Sequence, residues 1–316
     1  MKKWIIIAVV LAVVGTLVFA ASAAALQFDF TNLDTGKYET NTYAVKGSFR
    51  SISIDADDER IIFKPSGDAN CKVVCYEEEH RKHDVAVSGE TLTIKAVDRR
   101  KLTDHFPFNL KQSEITVYLP ERIYSDLSID TDTGDIEIPA NFSFDRITVR
   151  GDTSDVSCLA SAKDSIGIAL TTGDISMTSV ETGTMDLKVT TGNIHAESIA
   201  CEGDLSIRVD TGKTKLLDVT CRNLTTEGTT GDIALNRVVA SDAIRIIRDT
   251  GDVEFSASDA GSVFVKTSTG DVTGSLLSEK VFLTDTNTGK VEVPKSINGG
   301  RCEITTDTGD IRIEIG

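Results

Sequence analysis

From residue 127 to the C-terminus, apolar residues return in fixed columns on either side of a recurring Thr-Gly-Asp turn. Seven residues before the centre of the turn stand Leu127, Ile147, Ile166, Met185, Leu205, Leu224, Ile244, Val263, Phe282 and Cys302. Five before it come Ile129, Val149, Ile168, Leu187, Ile207, Thr226, Ile246, Val265, Thr284 and Ile304. Two after it the column opens Ile136, Val156, Ile175, Ile194 and Thr214, and four after it Ile138, Cys158, Met177, Ala196 and Leu216. Alternation with period two on each flank predicts two short strands per unit, each with one face in and one face out. β-Branched residues dominate the columns, as strands favour. A further apolar position seven to nine residues after the turn, at Val180, Ile199, Val219 and Val238, predicts a third short side that closes a coil.

The turn centres are Gly134, Ser154, Gly173, Gly192, Gly212, Gly231, Gly251, Gly270, Gly289 and Gly309, every interval being 19 or 20 residues. A fixed period of this length marks a stacked repeat whose units cannot bury their apolar faces alone. A meander of hairpins would not reward one residue type recurring at the same point of every unit, whereas a coil stacked on its neighbour does. The expected fold is therefore all-β, a β-solenoid (parallel β-helix-like) of about ten coils. At ~4.8 Å per coil these make a rod on the order of 50 Å long. Glycine supplies positive φ at the corner, and a following Asp or Asn bonds locally to the turn backbone. Thr precedes all ten centres, which predicts a stacked Thr ladder. The next column reads Asp135, Asp155, Asp174, Asn193, Lys213, Asp232, Asp252, Asp271, Lys290 and Asp310. Carboxylates stacked at ~4.8 Å repel, and Asn193, Lys213 and Lys290 interrupt the run.

Ahead of the repeats the chain divides into three. Residues 1–26 open with Lys2 and Lys3 and continue in an uncharged apolar run from Trp4 to Leu26, long enough at ~1.5 Å per residue to span roughly 30 Å of hydrocarbon. A retained transmembrane helix with the C-terminal body on the outer face is the favoured expectation. A cleaved signal is the alternative, because Ala21-Ser22-Ala23 and Ala23-Ala24-Ala25 fit small-x-small cleavage patterns. Residues 27–44 read as a linker and 45–124 as a β-rich cap, with 125–316 the solenoid. Within the cap, Ser51 to Phe63 resembles a coil that has lost its glycine. Val85 to Ile94 predicts a hairpin about Gly89, Ile115 to Leu119 a strand stopped by Pro120, and Asp98 to Lys111 an exposed charged loop. The last strand, Ile311 to Gly316, lacks a polar cap, so Ile311, Ile313 and Ile315 are an expected edge for homo-assembly.

Charge sharpens this outline. Lys plus Arg number 33 and Asp plus Glu 49, a net −16, and without the first 26 residues the difference is 31 minus 49, or −18. Such a surface does not seek nucleic acid. Tyr124 is the last Tyr and the one Trp is Trp4, so the repeats lack the flat amphipathic rings that grip sugars or peptides.

Candidate chemistry is sparse. Asp-Thr-Gly at Asp34, Asp132, Asp210, Asp249 and Asp307 matches the aspartic-protease triplet, but four of the five copies are the periodic corner, and a protease dyad needs two carboxylates sharing one proton at one site. The acidic column Asp135, Asp155, Asp174, Asp232, Asp252, Asp271 and Asp310 is a candidate calcium ladder against the plainer reading of a solvated edge. Cys71, Cys75, His80 and His83 are spaced loosely like a zinc site, against the reading of a strand face followed by a charged turn. Cys201 and Cys221 should stack within disulfide range, although free buried thiols are favoured. No catalytic residues and no cofactor are expected. A β-helix polysaccharide-acting enzyme is the alternative, which a surface cleft lined by acids and a basic residue would favour; such enzymes grow long irregular loops, and this chain keeps its intervals.

Five segments in this order, Lys2-Lys-Trp-Ile-Ile-Ile7, Lys37 to Tyr43, Cys71 to Glu78, Ile115 to Pro120 and then the Thr-Gly-Asp repeats, resemble the bacterial β-strand-repeat proteins classed as a domain of unknown function and labelled as adhesins, a group similar to LiaG-type envelope proteins. That resemblance implies a membrane-anchored β-solenoid of the cell envelope and supplies no catalytic residues. The functional expectation is a non-enzymatic anchored envelope protein that presents an acidic rod for adhesion, protein interaction or an envelope stress response. Its expected partners are the membrane, through residues 4–26, and an envelope or surface protein.

Overall fold

The computed structural model describes residues 2–25, 37–68, 70–98 and 112–316, with side chains of the N-terminal helix described at 11–20, 22 and 24. The expected loop Asp98 to Lys111, His105 and the Asp34 triplet thus lie wholly or almost wholly outside the described residues. The one described helix, α1 (Lys2–Ala25), precedes a body built of strands. Its expected role as a membrane span is not shown: among the described residues no helix is long and apolar enough to cross a membrane.

The cap comprises β1 (Tyr38–Ala44), β2 (Ser51–Ala56), β3 (Arg60–Pro65), β4 (Lys72–Glu78), β5 (Arg81–Ser88), β6 (Thr91–Asp98) and β7 (Glu114–Leu119). The coils follow as β8 (Ile123–Thr133), β9 (Ile136–Ile138), β10 (Ser143–Thr153), β11 (Val156–Cys158), β12 (Ser161–Thr172), β13 (Ile175–Thr191), β14 (Ile194–Cys201), β15 (Asp204–Thr211), β16 (Thr214–Thr230) and β17 (Ile233–Thr250). The last six strands are β18 (Val253–Thr269), β19 (Val272–Leu276), β20 (Lys280–Thr288), β21 (Val291–Glu292), β22 (Gly300–Thr308) and β23 (Ile311–Ile315).

Successive coils pair in parallel, as the periodic columns predict: Ile166 faces Ile147 and Met185, and Ile194 faces Ile175 and Thr214. The apolar columns fill one continuous core. Each coil has a first corner at the glycine. In the five coils from Gly173 to Gly251 a second lies six residues later, where Ser179, Ser198, Asp218, Arg237 and Ala257 all adopt left-handed φ near 50°. The third side then carries Val180, Ile199, Val219 and Val238 inward, all buried. The difference between 19- and 20-residue units is absorbed by bulges where the third side meets the next strand. Cys221 pairs with Ala240, 19 residues on, whereas Asn223 pairs with Ala243, 20 on.

β2 and β3 form the degenerate coil, with Ile52 and Ile54 in register with Leu127 and Ile129, and Ile61 with Ile136. β6 stacks on β2 and β7 on β3. The antiparallel strands β5 and β4 then cover these two, so the cap ends the parallel stack by reversing chain direction. Residues 38–44, expected in the linker, instead form β1 against β4.

The C-terminal expectation is overturned. β22 pairs with β18 on one side and β20 on the other, and β23 lies between β19 and β21. The last coil in sequence is therefore inserted beneath the coil before it. Its corner bonds confirm the order: the Gly270 N–H donates to Thr308 O and the Gly309 N–H to Thr288 O, each at 2.9 Å. Across the inserted Gly300, Lys280 Nζ reaches Asp259 Oδ1 at 2.6 Å, a nearly buried ion pair that ties the outermost coil to the second coil below. Ile311 and Ile313 are core residues, and the open edge is β20–β21, where Leu283 and Val291 are exposed.

Ile313→Lys should therefore destabilise the monomer by about 3–5 kcal/mol, the cost of an unpaired buried charge. Leu283→Lys should change it by less than about 0.5 kcal/mol. Urea denaturation of both variants distinguishes this order from stacking in sequence order.

Candidate functional site

The acidic column turns out to be a backbone-bonding device. Where an Asp or Asn follows the corner, its side-chain Oδ1 accepts the N–H of the matching residue one coil on, and Lys213 interrupts the series. Asp155 Oδ1 accepts from the Asp174 N–H at 2.8 Å, Asp174 Oδ1 from Asn193 N–H at 2.7 Å, and Asn193 Oδ1 from Lys213 N–H at 3.0 Å. The same step runs from Asp135 to Asp155, Asp232 to Asp252, Asp252 to Asp271, Asp271 to Asp310 and Asp310 to Lys290. Each donated N–H offsets the repulsion expected of stacked carboxylates. Lys290, which cannot accept, sits on the outermost coil, where no further N–H needs an acceptor. Lys213 bonds Asp232 at 3.0 Å and, with the backbone N–H of Asp252, holds its carboxyl below the usual range. The column's carboxylates do not converge: among the described residues, the one group of three or more His, Cys, Asp or Glu ligand atoms that comes together is elsewhere.

That group lies in the cap. The glycine column ends at Gly134, whose Cβ would stand 2.2 Å from the Glu59 carbonyl, so Glu59 occupies the corner of the degenerate coil. With no further Thr-Gly-Asp corner above, the Glu59 side chain turns inward and is buried. Its Oε2 accepts the N–H groups of Asp57 (2.8 Å) and Asp58 (3.2 Å), and its Oε1 lies 3.5 Å from both Arg81 Nη2 and His83 Nε2. The other ring nitrogen, Nδ1, is 2.6 Å from Glu77 Oε2, which also accepts the His83 N–H at 2.8 Å. Asn41 Nδ2 and Tyr43 Oη donate to Glu77 Oε1, both at 2.7 Å. Cys75 completes the cluster, fully buried.

Burial alone would push His83 down, but Cys75, Glu59 and Glu77 outweigh it and raise the ring to about 11. Burial would likewise raise Glu59, yet His83 and Arg81 bring it to about 2. Of the sequence-expected zinc set, the structure unites Cys75 and His83. His80 is exposed in the turn between β4 and β5, and Cys71 belongs to the core four residues away. Sequence spacing missed Glu59 and Glu77, since neither lies in a Cys/His pattern; the only hint was Glu77 on the inward face of the strand that carries Cys75, while Glu59 lies in the bend between β2 and β3. All six cysteines are free and buried, Cys201 and Cys221 included.

A surface groove of about 590 Å³ crosses five stacked strands, β8, β10, β12, β13 and β14, at the bulged corner. Ile123, Phe144, Ala162 and Ala200 give it apolar walls, while Asp145, Lys163, Asp164, Glu181 and Glu202 line its polar part. A second buried cation, Arg248, extends over Gly228 to donate from Nη1 to Val209 O at 2.7 Å, two coils away.

Asp174→Ala should destabilise the rod by about 0.5–1.5 kcal/mol, whereas Asp174→Asn, which keeps Oδ1, should be close to neutral; thermal denaturation of the pair separates a bonding role from a charge role. The cap cluster predicts a pH signature. Raised above its free value of 6.5, the His83 charge adds stability that is complete below that pH and is lost as pH rises through about 11. Depressed from 4.5, Glu59 adds stability complete above that pH and lost as pH falls through about 2. In chelator-containing buffer, His83→Gln should lower Tm at neutral pH and flatten its alkaline decline, and Glu59→Gln should flatten the acid decline.

Comparison with known proteins adds identity to this geometry. No curated protein matches the chain. The crystal structure of a candidate adhesin from Bacteroides fragilis is similar, with 16% identity, coverage of 88% of this chain and 97% of that one, and a TM-score of 0.43. A candidate adhesin from Parabacteroides distasonis has 12% identity, covers 88% and 98%, and gives 0.45. A protein from the same organism described as a candidate lipid-binding protein has 15% identity, covers 89% and 98%, and gives 0.33. Residues 49–208, just over half the chain and spanning the cap, the degenerate coil and the first coils, match the sequence profile of one family. The chain belongs to the Toastrack DUF4097 family.

Proposed function

We infer that this protein is a non-enzymatic, membrane-tethered rod of the cell envelope that presents its outer faces to a binding partner. The observation that carries this reading is the conversion of the whole repeat into structure. The corner carboxylates are spent on backbone N–H groups of the next coil, and the inward columns are spent on the core. What remains for function is a stiff polar surface and the groove about Ile123 and Lys163.

Tethering is supported by the character of α1. Leu11, Val13, Val14, Leu17, Val18 and Phe19 are all more than half exposed and, at 100° per residue, fall on every side of the helix. A helix that is apolar all round needs an apolar environment, and lipid supplies it. Lys2 and Lys3 favour retention of the N-terminus on the inner side, with the rod outside.

The groove's mixture of acids and Lys163 is the feature that favours the second reading, a polymer-acting β-helix enzyme. Against it, a glycosidic general acid is a carboxyl set in an apolar pocket, whereas Asp164, Glu181 and Glu202 are exposed.

Cells expressing the chain with a C-terminal tag test the reading. The expected result is an intact N-terminus in the membrane fraction and loss of the tag when protease is added to intact cells. A soluble product beginning near Ala24 would replace the tether with a secreted rod. Turnover of wall or capsule polymer that disappears in Asp164→Asn or Glu181→Gln would establish the enzyme instead.

A further inference from the structure

We propose that Cys75, Glu77 and His83 form a zinc site inside the cap, a ligand set distinct from the Cys71, Cys75, His80 and His83 spacing in the sequence. Their ligand atoms all lie within 4.8 Å of one another, and all three residues are buried. On a tetrahedral zinc, with ligand distances of ~2.0–2.3 Å, such atoms stand roughly 3.3–3.8 Å apart, so side-chain adjustments of about an ångström assemble the site.

The placement follows from the hairpin. Cys75 and Glu77 are two residues apart on β4 and share its inward face; His83 enters from β5 across the turn. The ring is also oriented for ligation. Nδ1 already meets the Glu77 carboxylate, while Nε2 has no hydrogen-bond partner and faces Glu59 Oε1 at 3.5 Å. With a metal on Nδ1, the Nε2 proton is directed at Glu59, the carboxylate–histidine–metal arrangement that fixes tautomer and ring plane. Glu77 is held from behind, because Asn41 and Tyr43 of β1 occupy its Oε1, while Oε2, steadied by the His83 N–H, faces the place of the ion.

Charge is conserved in the exchange. Two carboxylates, an imidazolium and a thiol sum to −1. Two carboxylates, a neutral imidazole, a thiolate and a divalent cation also sum to −1. The ion displaces one proton from the ring and one from sulfur, and both go to solvent. No oxidant or reductant is involved. A thiolate beside imidazole and carboxylate selects zinc over calcium or magnesium, which take oxygen ligands. The ion would join β4 to β5 and, through His83 and Glu59, to the degenerate coil, so its effect is to staple the cap onto the rod.

The test uses the untagged full chain in detergent, stripped with chelator and then given zinc chloride. One equivalent of zinc should remain after gel filtration, with a rise in Tm that Cys75→Ser and His83→Gln both abolish. Cobalt in place of zinc should give a thiolate-to-metal charge-transfer band. Cys75→Ser should remove the band and weaken binding at least ~tenfold, and Cys221→Ser should leave both unchanged. Should Cys75→Ser fail to fold by circular dichroism, the wild-type cobalt spectrum decides. Substoichiometric zinc, a cobalt spectrum without the thiolate band, or binding that survives in folded Cys75→Ser would each overturn the proposal.

Discussion

The structure depends on how closely one corner backbone approaches the next. A Cβ added at Gly192 would lie 2.0 Å from the carbonyl oxygen of Gly173, at Gly212 1.8 Å from that of Gly192, and at Gly270 2.1 Å from that of Gly251. Those distances admit no side chain, and the φ values of +142°, +144° and +152° lie where side chains are strained in any case. Glycine therefore does two things at once: it turns the chain and it lets coils stack at strand spacing on that edge. Once the edge is fixed, parallel register follows along the whole coil, and like residues face like. The Asp that follows each glycine is thereby brought within reach of the next N–H, which makes a ladder of bonds from a column that would otherwise be a ladder of repulsions.

Both ends of the rod are solved by departures from this rule. At the N-terminal end Glu59 stands where a glycine would, and its buried carboxylate requires cationic company, which Arg81 and His83 supply from β5. The cap is thus attached by charge as well as by strand pairing. Arg81 adds contacts of 2.8 Å to Asp57 and 2.7 Å to Asp58 from a mostly buried side chain, so the degenerate corner is clamped rather than left open. At the other end the chain doubles back and wedges its last coil under the preceding one. This buries Ile311 and Ile313 and leaves the open edge to a coil with Thr284, Lys290 and a two-residue β21. The two-residue β21 limits strand addition along its side of that edge, while the nine-residue β20, with Leu283 exposed, stays open.

At two places a long buried cation passes a glycine of the intervening coil. Arg248 passes Gly228 and Lys280 passes Gly300. In each case a side chain bonds two coils away, so the stack is cross-braced beyond nearest neighbours. The sequence shows a glycine and a basic residue without showing that one makes room for the other.

The repeat itself was legible because its physics is local and periodic. Period-two columns, the glycine at each corner and the third apolar position at Val180, Ile199, Val219 and Val238 fix the coil, and the degenerate coil at Ile52 to Phe63 follows from the same columns. Tertiary structure decided what the period leaves degenerate. The interval from Gly270 to Gly289 is 19 and from Gly289 to Gly309 is 20, and both stacking orders satisfy the same columns, so only packing places Gly309 between the other two. The Cys75, Glu77, His83 and Glu59 cluster was equally hidden, because its members come from a corner and two antiparallel strands that local spacing cannot relate. Periodicity determines what one coil must be; which coils meet, and which polar side chains are trapped between a parallel stack and an antiparallel cap, depends on contacts between segments distant in sequence.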